Sequence, residues 1–172
     1  MVVLWIVAAV VVLFGFAAFF GAPYLPSQRK YLRRAFAELY PLSKKDTLVD
    51  LGSGDGVVLR VAREFDATVV GYEINPILVL ISRLLSRGDK KVTIKQSNFW
   101  VAPLPDSTTV IYVFSVSRDG RRLIKKVRRE VDRIGKPISV MCHASPLPGL
   151  EPEKTLNAFL LYTFHPLQPS EA

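Results

Sequence analysis

The chain has 172 residues, of which 49% are hydrophobic and 22% are charged, and its formal net charge is +8 at pH 7. This composition excludes disordered and collagen-like chains, and only one long uncharged run is present, which excludes a multi-span membrane protein. The single cysteine, Cys142, excludes an internal disulfide.

Residues 1–22 form an apolar segment without a single charged residue. A helix of this length extends roughly 33 Å, enough for a hydrocarbon core of ~30 Å. The alternatives are a buried helix and a cleavable signal peptide, but no basic residue precedes the segment, and Phe19 and Phe20 depart from the small residues expected before a cleavage site. We predict a transmembrane anchor at 1–22.

Four basic residues follow this anchor directly: Arg29, Lys30, Arg33 and Arg34. Because positive charge accumulates on the inner side of a membrane, they predict a single-pass protein whose globular domain faces the cytoplasm or the mitochondrial matrix.

Pro23 and Pro26 predict an extended elbow. Residues 27–40 predict a basic amphipathic helix capped by Ser27. Residues 23–45 would then connect the anchor to a domain at 46–172. Strands and helices then alternate, which predicts a mostly parallel sheet of six to seven strands with helices on both faces, a Rossmann-like α/β fold. The predicted strands are 47–52, 67–73, 91–96, 109–116 and 136–144, with a closing strand or short hairpin at 155–164, and the predicted helices are 57–65, 75–88 and 119–134.

The motif VDLGSGDG at 49–56 lies between a predicted strand and a predicted helix. Glycines at such a turn let the backbone approach a ligand closely, and the following helix offers free amide groups to an anion. Glu73 ends the next strand, where its carboxylate can accept both hydroxyl protons of a ribose. The motif therefore predicts a site for a ribose-bearing ligand.

Two common ligands do not fit this motif. A nicotinamide fingerprint needs a third glycine where the sequence has Val57, and a P-loop needs a lysine that is absent after these glycines.

Asp50 would repel phosphates but suits an ammonium group, and S-adenosylmethionine carries an ammonium, a carboxylate, a ribose and an adenine. We predict that Asp50 faces the ammonium and that Asn98 and Phe99 contact the adenine. The predicted cofactor-binding residues are Asp50, Gly52, Ser53, Gly54, Gly56, Glu73, Ile74, Asn98 and Phe99.

Residues 46–99 resemble motifs I and II and the adenine motif of class I S-adenosylmethionine-dependent methyltransferases. More narrowly, VDLGSGDG, GYEINPILV and NFW are similar to the small membrane-anchored lysine methyltransferases that act on the c-subunit of ATP synthase and on the adenine nucleotide translocase, and to their prokaryotic relatives. PYLPS at 23–27 and ASPLPGLEPEK at 144–154 extend the similarity to roughly residues 20–165. The chain departs from the pattern at Asn98, where an acidic residue is usual.

This resemblance implies a membrane-anchored enzyme that N-methylates a lysine of a membrane-associated protein. Two alternatives stay open: a methyltransferase for a lipid or other small apolar molecule, and an inactive cofactor-binding assembly factor. Methyl transfer needs alignment more than a dedicated base, so we expect neither a catalytic triad nor a metal site. Tyr112, Ser117 and His143 are the polar side chains expected nearest the methyl acceptor. His143 could receive a proton or position the acceptor, and the alternative is an ordinary histidine at the end of a strand.

Residues 118–136 hold nine Lys or Arg against three acids, a net charge of +6. Leu123, Val127 and Val131 give this segment an apolar face, so we expect its charges to point outward. A solvated helix face and contact with anionic lipid headgroups are both compatible with this pattern. No basic motif interleaved with aromatic residues predicts nucleic-acid binding.

Overall fold

The computed structural model describes residues 4, 5, 29–114 and 117–167. The predicted anchor and elbow lie outside this part of the chain, except for Leu4 and Trp5, and so does the predicted cap Ser27. Among the residues that are described, no helix is both long and apolar enough to cross a bilayer. The anchor therefore stays a prediction.

Helices and strands alternate in the predicted order. The helices are α1 (Arg29–Arg34, continued by a π-helical turn at Ala35–Leu39), α2 (Val57–Arg63), α3 (Pro76–Leu85) and α4 (Gly120–Ile134), which a 3-10 turn precedes at Ser117–Asp119. The strands are β1 (Thr47–Leu51), β2 (Thr68–Glu73), β3 (Val92–Gln96), β4 (Val110–Phe114), β5 (Ile138–His143), β6 (Lys154–Leu156) and β7 (Phe159–Phe164).

The strands form one seven-stranded sheet in the order β3-β2-β1-β4-β5-β7-β6. Strands β1 to β5 are mutually parallel, while β7 runs antiparallel to both β5 and β6. Leu48 and Val49 point to opposite faces and are both fully buried, as expected for a parallel strand covered on two sides. The predicted α/β fold of six to seven strands is confirmed, and its last element is a hairpin.

Two hydrophobic cores lie on the two faces of the sheet. Side chains of α1, α2 and α3, among them Phe36, Leu59 and Val79, pack on one face. Leu123 and Val127 of α4 pack on the other. This division follows from the direction of the chain, because right-handed crossovers from β1 toward β3 and from β4 toward β5 place their helices on opposite faces.

The expectation that the charges of 118–136 all point outward is wrong at Lys126. Its side chain is only 3% exposed and pairs with the equally buried Glu130 at 2.9 Å. The ammonium also donates a hydrogen bond to the carbonyl of Ala102, in the loop that follows β3. An amphipathic pattern predicts which side of a helix faces the core. A long cationic side chain beside the apolar side can still turn inward where hydrogen-bond acceptors are available.

Candidate cofactor site

The glycine turn after β1 stays attached to β2. Asp50 is the register partner of Gly71 in β2, and one step further the amides of Gly52 and Ser53 donate hydrogen bonds to the carbonyl of Tyr72 at 2.8 and 2.9 Å. The turn therefore lies at the carboxyl edge of two adjacent parallel strands, where open α/β sheets bind their ligands.

The backbone of this turn requires glycine at specific positions. Gly56 has φ +80° at the N-terminus of α2, and a Cβ there would clash with Ser82 Oγ. Gly71 faces the turn from β2, and a Cβ there would lie 2.6 Å from Ser53 Oγ. Glycines thus allow both the left-handed backbone and the close contact of the turn with α3 and β2.

The predicted ribose-binding residue, Glu73, also organises the turn. Its carboxylate is buried, and Oε2 accepts a hydrogen bond from the amide of Gly54 at 2.9 Å. Oε1 accepts from the amide of Asn75 at 2.8 Å, and the side chain of Asn75 in turn caps α3 by accepting from the amide of Ile77 at 2.9 Å. Glu73 therefore joins the glycine turn to the start of α3.

Asp50 is 2% exposed, and its Oδ2 has no hydrogen-bond partner among the described residues. Burial, followed by the nearby charges of Glu73 and Asp55, raises the pKa of Asp50 well above its ordinary value. Ser53 Oγ, in the same turn, is likewise buried and unpartnered within the described part of the chain. Asp55 is paired with Arg60 at 3.1 Å, whereas Asp50 and Glu73 have no cationic partner among the described residues. A cationic group therefore fits the site and would satisfy the orphaned oxygen.

The amides of the turn are already used within the protein. Gly52 and Ser53 donate to Tyr72 and Gly54 to Glu73, while Gly56 donates to the carbonyl of Ser53 at 2.8 Å. A ligand carboxylate at these amides would compete with those acceptors, so the anion-binding role of the turn stays a prediction.

The predicted adenine residues lie in the loop after β3. Its start is held to the site by the amide of Ser97, which donates to the carbonyl of Glu73 at 2.9 Å. Asn98 is exposed, and its Oδ1 accepts from the amide of Trp100 at 3.0 Å. The ring centroids of Phe99 and Trp100 lie 4.6 Å apart. Ile74 is 42% exposed directly after Glu73, so the residues predicted to contact adenine and ribose border one edge of the sheet.

The same loop is fixed to α4 by a network of hydrogen bonds and ion pairs that the sequence pattern did not predict. Glu130 accepts from the amide of Leu104 at 3.2 Å and from Arg133 Nε at 2.9 Å, in addition to its pair with Lys126. Burial opposes the charge of Glu130, but these hydrogen bonds hold its pKa below its ordinary value. The Lys126–Glu130 spacing of four residues was a visible signal, although the same spacing is common on solvated helices.

At the carboxyl ends of β4 and β5, His143 is the register partner of Phe114 and stacks on Phe159 with ring centroids 4.4 Å apart. Its Nδ1 lies 3.0 Å from the hydroxyl of Tyr112, which is almost fully buried. Burial lowers the pKa of His143, so the imidazole is neutral at pH 7. The side chain of Ser117 lies outside the described part, and no cluster of metal-ligating residues occurs within it.

The strand order, the glycine turn after β1 and the acidic residue that ends β2 together define the class I methyltransferase fold. The model of the ANTKMT methyltransferase domain matches residues 50–154, well over half of the chain. This chain belongs to the ANTKMT methyltransferase domain family. S-adenosylmethionine is accordingly the cofactor of the domain, and the orphaned Asp50 carboxylate in its buried acidic site fits the cofactor's cationic groups.

Two curated relatives are named as lysine methyltransferases. The chain is 32% identical to the human lysine N-methyltransferase of the ATP synthase C-subunit over 115 residues, which are 64% of this chain and 47% of the relative. It is 28% identical to a protein-lysine N-methyltransferase of Saccharolobus islandicus over 141 residues, 78% of this chain and 84% of the relative. The chain thus spans about half the length of the human relative.

Among solved structures, an RNA methyltransferase from Salinibacter ruber bound to S-adenosyl-L-homocysteine is similar to this fold. The TM-score is 0.72 at 25% identity, covering 86% of this chain and 98% of the neighbour. The 23S rRNA methyltransferase ErmE, at 17% identity and a TM-score of 0.56, is similar in fold alone.

Proposed function

We propose that this chain is a membrane-anchored S-adenosylmethionine-dependent methyltransferase that N-methylates a lysine of a membrane-associated protein. The observation that carries the cofactor site is the buried Asp50 carboxylate, whose Oδ2 has no partner among the described residues. The lysine acceptor is supported by the relatives from human and Saccharolobus islandicus, both named as lysine N-methyltransferases.

Each predicted contact has a role in this proposal. Asp50 binds the ammonium group, and Glu73 accepts from the ribose hydroxyls with the lone pairs that its two backbone hydrogen bonds leave. Asn98 hydrogen-bonds the edge of the adenine, while Phe99 and Ile74 cover its faces. Gly52, Ser53, Gly54 and Gly56 shape the turn that surrounds the methionine end.

S-adenosylmethionine supplies an electrophilic methyl group on a sulfonium when it is bound. The protein has to align the lysine amine with that methyl and keep water out. The amine must also be unprotonated, and an apolar surrounding lowers its pKa without a dedicated base. Phe114 and the neutral His143, which end β4 and β5, supply such a surrounding together with Phe159, which begins the antiparallel β7.

The membrane part of the proposal rests on the amino-acid sequence. Residues 1–22 are long and apolar enough to span a bilayer, and the basic residues at 29–34 favour a domain on the cytoplasmic or matrix side. Tethering restricts the search for a membrane-bound acceptor to two dimensions, and exposed cations of α1, which packs on the same face of the sheet as α3, are available for anionic headgroups.

The experiment is transfer of radiolabelled methyl groups by the full chain into membranes, followed by separation of protein, lipid and RNA. Label in protein, released as methylated lysine on hydrolysis, supports the proposal. Label in the lipid extract indicates a lipid methyltransferase, and label in RNA indicates an activity like that named for the Salinibacter neighbour. Cofactor binding without label in any fraction indicates an inactive assembly factor. The Asp50→Asn variant serves as the control that removes cofactor-dependent label.

A further inference from the structure

Helix α3 presents large aliphatic side chains to solvent. The side that faces the sheet carries Val79 and Ser82, which are 2% and 0% exposed. The outer side is a continuous stripe, since its positions recur at the three- and four-residue spacing of a helix. This α3 apolar face consists of Ile77, Leu80, Ile81, Leu84 and Leu85, which are 38% to 60% exposed.

Such a face is unusual on a helix of a soluble sheet protein, where the outer side is ordinarily polar. The buried side even places two serines, Ser82 and Ser86, whose Oγ atoms are buried without a partner among the described residues. Apolar residues thus lie outside and hydroxyls inside. A contiguous exposed aliphatic stripe of this kind marks a surface that contacts lipid or another apolar partner.

The charges around the stripe indicate which partner. The segment 76–91 holds four Lys or Arg and one Asp, a net charge of +3. That single acid, Asp89, is already paired with Arg63 at 2.7 Å. Two exposed cations, Arg87 and Lys90, therefore border the C-terminal end of the stripe. The segment contains no unpaired acid that would neutralise them.

We propose that the α3 apolar face docks on the surface of an anionic lipid bilayer. The stripe is purely aliphatic, which suits acyl chains, and the cations beside it, Arg87 and Lys90, suit anionic headgroups. A helix of ten residues is only about 15 Å long, so it lies in the interface rather than crossing it. The proposal rests on the membrane location in the proposed function, and it adds which face of the domain meets the lipid.

Docking through α3 has a geometric consequence for the rest of the domain. Because α3 and α4 lie on opposite faces of the sheet, a flat bilayer against α3 leaves the outer side of α4 facing away. Helix α3 begins three residues after Glu73 and is joined to it through Asn75, so this docking places the proposed cofactor site beside the membrane surface. A lysine near the headgroups of a membrane-bound acceptor is then within reach of that edge.

The test uses the full chain in vesicles of phosphatidylcholine with or without phosphatidylglycerol, with a fluorophore attached at position 84 through Leu84→Cys. The native thiol interferes little, since Cys142 is fully buried and burial raises its pKa to about 12. Lys125→Cys, on the exposed side of α4, is the matched control. Quenching by nitroxide-labelled lipids should be severalfold stronger at position 84 than at 125, and stronger again with phosphatidylglycerol.

Equal quenching at both positions in chains that float with the vesicles overturns the α3 proposal. A blue-shifted emission at position 84 that lipid nitroxides do not quench also overturns it. If that blue shift is independent of protein concentration, residues 1–22 of the same chain cover the stripe. If the blue shift increases with protein concentration, a second copy of the chain covers the stripe. Methyl transfer measured on the same samples separates these outcomes from failure of the proposed function, and chains that do not float contradict the membrane location itself.

Discussion

Glu73 accepts a hydrogen bond from the amide of Gly54 at 2.9 Å, so the residue that ends β2 also fixes the glycine turn that follows β1. A carboxylate that is held in this way is pre-organised for the ribose contact that we propose, because it needs no reorientation when the ligand arrives. The same bond means that a substitution at Glu73 acts on the turn and on the ligand together.

We expect Glu73→Ala to abolish cofactor binding and Glu73→Gln to weaken it at least about tenfold, the equivalent of ~1.4 kcal/mol. Glutamine can accept from only one of the two amides, of Gly54 and Asn75, and its own amino group would face the other. Calorimetric titration with S-adenosylmethionine measures this effect.

The matched control for Glu73 is Glu64→Gln. Glu64 pairs with Arg33 at 2.6 Å on the surface, where the side chain is 41% exposed. Solvent screens an exposed pair of this kind, so its loss should leave affinity for the cofactor unchanged. An unaltered affinity in Glu73→Ala would remove the residue from the site.

Asp50→Asn should stabilise the protein without cofactor and weaken binding. The pKa of Asp50 is raised in the folded state, so the folded protein binds this proton more tightly and loses stability as pH rises from the ordinary value of 3.8 through the raised one. Removing the buried charge should therefore add about 0.5–2 kcal/mol to the free energy of unfolding at pH 7. Denaturant titration without cofactor measures it.

The same variant gives a pH signature of binding. An ammonium ligand requires ionised Asp50, so affinity should fall as pH is lowered through its raised pKa, and binding should release protons. Calorimetry in buffers of different ionisation enthalpy should detect that release in the native chain and not in Asp50→Asn. Identical proton release in both chains would contradict the assignment of Asp50 to the ammonium.

Gly71→Ala should impair the cofactor site from within β2. The added Cβ would lie 2.6 Å from Ser53 Oγ and 2.7 Å from Leu59 Cδ1, so the turn or α2 must shift. Overpacking of this kind costs roughly 1–3 kcal/mol, and displacement of Ser53 should also weaken cofactor binding. Thermal denaturation and calorimetric titration together measure both effects.

Gly88→Ala separates stability from binding in that experiment. Gly88 has φ +90° but open space around its Cβ position, so alanine there costs only backbone strain. We expect a loss of stability with unchanged cofactor affinity. A proportional loss of affinity in both variants would show that Gly71 acts through global stability alone.

Glu130→Gln should destabilise the protein and loosen the loop that carries Asn98 and Phe99. It leaves the ammonium of Lys126 buried without its counter-charge, and breaking a buried pair in this way costs about 3–5 kcal/mol. Because the pKa of Glu130 is held below its ordinary value, the native pair stabilises at neutral pH and is lost as pH falls through that lowered value. Urea titration at neutral and acidic pH measures both effects.

Combining Glu130→Gln with Lys126→Met removes the unpaired cation and should recover a large part of the lost stability. Glutamine can still accept from Arg133 or from the amide of Leu104, so the loop should also regain cofactor affinity. Equal stability of the single and double variants would mean that the pair does not carry the coupling.

The order of strands and helices and the local motif could be predicted because both depend on short-range signals. Apolar runs such as Val110–Phe114 indicate buried parallel strands, and glycines at 52, 54 and 56 mark the turn where β1 ends. The closing hairpin is equally local. Contacts between distant parts of the chain, such as that of Lys126 with Ala102, leave no comparable pattern.

The sequence by itself determined the class of fold, the position of the glycine turn and the acidic residues beside it, since each depends on residue type at fixed spacing. Only the tertiary structure decided that Glu73 holds Gly54, that Asp50 is buried with an orphaned oxygen, and that α3 turns its leucines outward. The physical reason is that burial and pairing depend on which surfaces meet when the sheet assembles, and an amphipathic helix pattern alone does not say which side finds the sheet.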